Sequence, residues 1–163
     1  MARGQYLVPA TNITLANQAV TLVFVNPGTT VSLEFLRGWA SQAGTATSAQ
    51  QRVQLNSQVT AFPTLVSQTP AKTYILEAVS QITGNTTGAA GTCGINASAE
   101  GAGGKTVLYP DSFNILNGWL WVPTPRETFI MSASGSAGFG LHFPAAPSVS
   151  LTNWNAGLVF GEI

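Results

Sequence analysis

The chain has 163 residues, with six Lys and Arg against six Asp and Glu, so its formal net charge is zero. Charged residues make up 7% of it, where ordinary soluble domains carry about 25%. That balance excludes a nucleic-acid stripe, a basic membrane-surface patch and an acidic tail. No apolar run approaches the ~18 residues of a membrane-spanning helix. A surface so poor in charge must be covered by Thr, Ser, Asn, Gln, Gly and small apolar groups, or by neighbouring subunits.

The first residues, "MARGQYLVPATN", lack the apolar stretch of a secretory signal. Residues 1–17 are expected to form an extended N-terminal arm ahead of a single β-sandwich domain spanning 18–163. The sequons at Asn12, Asn85 and Asn96 are accordingly read as unmodified. Val20, Leu22 and Phe24 then alternate with their neighbours, and "NPGT" (Asn26 to Thr29) supplies a turn before Val31, Leu33 and Phe35. The clearest strand is Gln50 to Val59, with Val53, Leu55 and Val59 on one face and Arg52, Gln54, Asn56 and Gln58 on the other.

Lys72 to Ile82 offers helical spacing through Ile75, Val79 and Ile82, yet a strand is equally open there. Thr83 to Gly104 is rich in Gly and Ala and is expected to be a long mobile loop, or an arm that orders on a neighbour. Cys93, inside it, is the only cysteine, so no intrachain disulfide or multi-cysteine zinc site exists. In a mobile loop its thiol should react freely unless an assembly covers it.

The end of this stretch, "AEGAGGKT" (Ala99 to Thr106), fits a loose phosphate-binding loop. Such a loop needs a buried strand before it and a helix after it, so that glycine amides and a helix N-terminus meet the phosphate. Here "GTCGINAS" precedes and "VLYPDSFN" follows, with Pro110 against a helix and Asp111 as the sole aspartate. Nucleotide binding is therefore not expected, and replacing Lys105 by Ala should leave stability nearly unchanged.

Thr106 to Tyr109, Trp119 to Val122, Thr128 to Ser132, Gly138 to Phe143 and Gly157 to Glu162 complete the strand set, with "SASGSAG" as a hairpin loop between the third and fourth. About eight short strands separated by Gly, Pro and Asn turns define an all-β chain, an antiparallel β-sandwich or jelly roll. In "NGWLWVPTPRE", Trp119 and Trp121 share a strand face. They read as core, or as a sugar-stacking platform or oligomer interface. Trp154 is similar. His142, the one histidine, lies on the strand face opposite Phe139, Leu141 and Phe143. One His and one Cys cannot build a transition-metal site in one chain. No G-x-S-x-G elbow serves a Ser-His-Asp triad, and nothing pairs the carboxylates Glu34, Glu77, Glu100, Glu127 and Glu162. The chain is read as non-enzymatic and without a cofactor. Trp119, Trp121, Arg126, His142 and Trp154 are the candidate assembly residues.

The segments "SQAGTATSAQQRVQL", "GTCGINASAEG", "NGWLWVPTPRE" and "LTNWNAGLVFGEI" together resemble small virion proteins of tailed bacteriophages, and most of all capsid decoration, or cement, proteins of jelly-roll type. The resemblance implies a homotrimer on the capsid exterior, made in the host cytoplasm, with the major capsid protein as partner. It supplies no catalytic residue. The alternative is a carbohydrate- or receptor-binding module of a tail fibre or surface appendage, with the Trp strand as its platform.

Overall fold

The computed structural model describes residues 4–17, 20–84 and 91–163. Thirteen strands lie among them: β1 (Gly4–Ile13), β2 (Thr21–Asn26), β3 (Leu33–Gln42), β4 (Gln50–Val59), β5 (Thr64–Ser67), β6 (Ala71–Lys72), β7 (Thr83–Gly84), β8 (Thr92–Ala99), β9 (Lys105–Asn114), β10 (Trp119–Trp121), β11 (Phe129–Met131), β12 (Ala137–His142) and β13 (Trp154–Glu162). They form two sheets. Sheet A runs β10-β3-β13-β1-β6, with β11 also on β3, and sheet B runs β5-β8-β2-β12-β4-β9, with β7 on β8.

The pairings nest. β4 pairs β9, β3 pairs β10 and β11, β2 pairs β12 and β1 pairs β13, all antiparallel. That is one long hairpin folded at β4/β9 and rolled up so that its paired arms fall alternately into the two sheets, which is jelly-roll connectivity. The described residues hold thirteen strands, not the eight expected: β2, β3, β4 and β9 to β13 match the expected set, and β1 joins them to complete this frame, in which β10 and β11 share one position. The remaining four, β5 to β8, belong to the excursion between β4 and β9. This excursion adds β8 and β5 beyond β2, and β6 beyond β1, so it thickens the same side of both sheets.

Alternation explains the core. Tyr6, Val8, Phe35, Leu158 and Phe160 of sheet A meet Val23, Val53, Leu55, Phe139 and Leu141 of sheet B, all fully buried. Phe35 and Phe139 stack across the gap with ring centroids 3.8 Å apart. Each such side chain contributes about 1.5–3 kcal/mol by leaving water. A smaller apolar cluster sits on the outer face of sheet B, built from Phe24 of β2, Leu65 of β5 and Ala97 of β8, with Ala16 and Phe62 packed against it.

Four expectations need correction. Residues 4–13 are not an arm: β1 pairs with β13 from Gly4 to Ile13, and Tyr6, Val8 and Ala10 are core. Pro9 is tolerated because β6 reaches only Tyr6 and Leu7, leaving β1 a single neighbour at the proline. Within 83–104, residues 92–99 form β8, hydrogen-bonded to β2 and β5 (residues 85–90 lie outside the described residues). Small side chains suit a strand buried between two neighbours. Asn96, at φ 50°, makes the bulge that turns Ala97 outward onto Phe24 and Leu65. Lys72 to Ile82 is neither helix nor long strand: beyond β6 it is turns, with Ile75 86% and Val79 72% exposed and only Ile82 in the core, so the helical spacing does not mark a buried face. Finally, "SASGSAG" is no hairpin, since β11 lies in sheet A and β12 in sheet B; it crosses the sandwich, as "NPGT" does between β2 and β3.

Candidate functional site

The P-loop-like stretch joins β8 to β9 with no helix after it, and its two charged residues turn inward on the protein itself. The Glu100 carboxylate accepts hydrogen bonds from the backbone N–H groups of Val20 (2.7 Å) and Thr21 (2.6 Å) and from the Thr21 hydroxyl (2.7 Å). It also takes a close ion pair from the Lys105 ammonium. His142 Nδ1 completes the group, 3.1 Å from the Thr21 hydroxyl and 3.7 Å from Glu100 Oε2. Burial alone would push the Glu100 carboxyl up, but the hydrogen bonds from Lys105 and Thr21 and the nearby imidazole outweigh it and hold it below its ordinary value. Burial, then the Lys105 charge, push His142 down to about 4 against the opposing pull of Glu100. The glycines have a matching purpose. A Cβ at Gly101 or Gly103 would overlap the carbonyl oxygens of Ala61 and Thr60, so only glycine lets this loop lie against that backbone. The motif is a clasp that pins the excursion to the start of β2 and the end of β12. Lys105 therefore has a structural partner, contrary to the expectation that its loss would go unnoticed.

The five candidate assembly residues are not brought together. Trp119, Trp121 and Trp154 are 7%, 6% and 0% exposed and face the sandwich interior. Two of their indole N–H groups are tied down: Trp119 donates to Asp111 Oδ2 (2.9 Å) and Trp154 to the Ser150 carbonyl (3.0 Å). His142 belongs to the clasp on the outer side of sheet B. Arg126 alone is exposed, on the turn after β10.

The surface that stands open is instead the outer face of sheet A. Register with β3 points Leu36, Trp39, Leu120 and Ile130 outward, and Val122, just after β10, lies on the same side over the buried Val159. Leu120, Val122 and Ile130 are more than 60% exposed, and the only charges among them are Glu34 and Arg37. Arg37 lies over the Trp39 ring, 5.5 Å from its centroid. Leu120, between two inward tryptophans, was readable as outward from period two, but an isolated outward leucine carries no message until its neighbours across the sheet are known.

A second feature is the open side of the sandwich, opposite the excursion, where β9 of sheet B faces β10 and β11 of sheet A. An apolar cavity of about 460 Å³ enters there between the sheets, lined by Phe35, Leu108, Phe129, Met131 and Phe139. Beside it a second cavity of about 340 Å³ is lined by Tyr109, Trp121, Glu127 and Phe129.

Cys93 is fully buried, and its thiol donates to the Gln68 carbonyl at 2.8 Å. Burial pushes it up to about 12, which overturns the reading of a freely reactive thiol. Among the described residues no three His, Cys, Asp or Glu side chains could hold a metal ion. The architecture is that of a jelly-roll sandwich with one large excursion. Comparisons with family models, curated proteins and solved structures return no match.

Proposed function

We propose that the protein is a non-enzymatic structural protein that self-associates through the outer face of sheet A. On the strength of its resemblance to small virion proteins, we further propose that it decorates and cements a phage capsid as a trimer. The observation that carries the first part is the apolar row Leu36, Trp39, Leu120, Val122 and Ile130, continuous across three strands and almost uncharged. Contiguous exposed apolar surface of this kind marks interaction sites. It also gives the low charge of the chain a place to be useful, because such a face is covered in an assembly. Cementing needs no chemistry: many shallow contacts repeated over a symmetric shell gain strength by multivalency.

Light scattering after size exclusion should give a multiple of 16.9 kDa, with three copies expected from the resemblance. The double variant Leu120→Lys/Ile130→Lys, both positions outward, should fall to monomer without losing its fold. Added to undecorated shells of its phage, the protein should raise their disruption temperature. A wild-type monomer at high concentration would refute the self-association. An oligomer with no affinity for shells would refute the cement role alone. The tail-fibre alternative would need a broad platform of open ring faces, whereas Trp119 and Trp121 point into the sandwich and Trp121 borders only a small cavity.

A further inference from the structure

The smaller cavity on the open side combines two features that neither assembly nor packing requires. Three aromatic rings meet in it. Trp121 and Phe129 stack with centroids 5.5 Å apart and planes 11° apart, while Tyr109, from the opposite sheet, stands 6.4 Å from Trp121 and inclined by 50°. A tilted third ring opens a wedge where a third stacked ring would have filled it. At the rim stands the one carboxylate, Glu127.

That carboxylate is held in place. Its backbone N–H donates to the Thr124 carbonyl (2.9 Å), and its Oε2 accepts from the Thr124 hydroxyl (2.9 Å). Pro123 and Pro125 stiffen the same turn. Among the described residues Glu127 has no ion-pair partner, and Arg126 beside it makes none with it. The pocket therefore concentrates negative potential, from ring faces and from a fixed carboxylate, and among the described residues no cation pairs with that carboxylate. Anions are repelled there, and a neutral apolar group would gain nothing from Glu127.

We propose that Tyr109, Trp121, Phe129 and Glu127 form a binding site for a cationic head group, an ammonium or a guanidinium. At about 340 Å³ the cavity is of a size for such a head and a few attached carbons. The group comes either from a free quaternary ammonium compound or from a Lys or Arg side chain presented by another protein. The site is independent of the self-association proposed above.

The test is titration of the ¹⁵N-labelled protein with tetramethylammonium chloride and, separately, with N-acetyl-arginine amide, following the four indole N–H signals at constant ionic strength. One or both should shift the Trp121 signal saturably, in the millimolar range. Preference for the first points to a free ammonium, preference for the second to a basic side chain. tert-Butanol, neutral and of similar size, should shift it little. Glu127→Gln and Tyr109→Ala, both at exposed positions, should each weaken binding about fivefold or more. Absence of a saturable shift with either cation, equal binding of tert-butanol, or undiminished binding by Glu127→Gln would each overturn the assignment.

Discussion

Replacing Glu100 by Ala removes the centre of the clasp, and the structure sets the size of the effect. Three hydrogen bonds to a charged acceptor disappear, two of them from backbone N–H groups of Val20 and Thr21, residues only 5% and 3% exposed. Those N–H groups then lack a partner, at about 1–3 kcal/mol for each one left unsatisfied. Lys105 also loses its counter-ion, although, being a quarter exposed, it can turn to water at little cost. Together the loss should be about 3–5 kcal/mol, the range for breaking a buried charge network from one side. For a domain of this length each kcal/mol shifts the melting temperature by about 2–4 °C, so a fall of about 6–20 °C is expected. Lys105→Met should cost less, about 1 kcal/mol, because the three hydrogen bonds from Val20 and Thr21 survive it. Urea titration and calorimetry check both values. A Glu100→Ala variant within 0.5 kcal/mol of wild type would refute the clasp and leave the glycine-rich loop without a structural reason. Calorimetry with ATP and Mg²⁺ should show no binding heat in either variant.

Acid should loosen the same cluster. His142 falls from its ordinary 6.5 to about 4 on folding, so the unfolded chain binds its proton first and stability declines as pH drops from about 6.5 to 4, by up to about 3 kcal/mol. Glu100, also held below its ordinary value, adds loss in the same direction at lower pH. Urea midpoints across this range should show the decline, and His142→Gln should flatten its upper part; a wild-type profile level from pH 7 to 4 would contradict the burial of the imidazole. Cys93 should be inert to Ellman's reagent at pH 8 in the native protein and release one equivalent on denaturation. Rapid native labelling would mean that β8 opens readily.

The parts of the fold legible in sequence were those where large apolar side chains alternate. Gln50 to Val59 was placed to the residue, because Val53 and Leu55 are separated by polar groups that face outward. β8 was lost because Ile95 is its one large inward side chain and its periodicity is broken at Asn96. β1 reads in sequence as part of an extended arm, because its partners β13 and β6 are distant in the chain and only the pairing shows where it belongs. The clasp was half visible. Context excluded a nucleotide, but that Glu100 reaches back about eighty residues to Val20 and Thr21 depends on the rolled topology. The outer face of sheet A was invisible for the same reason, since Leu36, Leu120 and Ile130 become neighbours only through strand pairing.

The place of β13 also governs how the protein comes into being. It follows the other twelve described strands in sequence, yet it is the middle of sheet A, paired along nearly its whole length with β1 on one side and β3 on the other. Until it has left the ribosome, β1 and β3 have no partner between them, and their inward side chains have no closed sheet to belong to. Native sheet A must therefore form after synthesis of this segment, slowly, as is usual where contacts join distant parts of the chain. Meanwhile the nascent chain carries two strand edges waiting for the same insert, an opening that a β13 from another copy could fill before its own arrives.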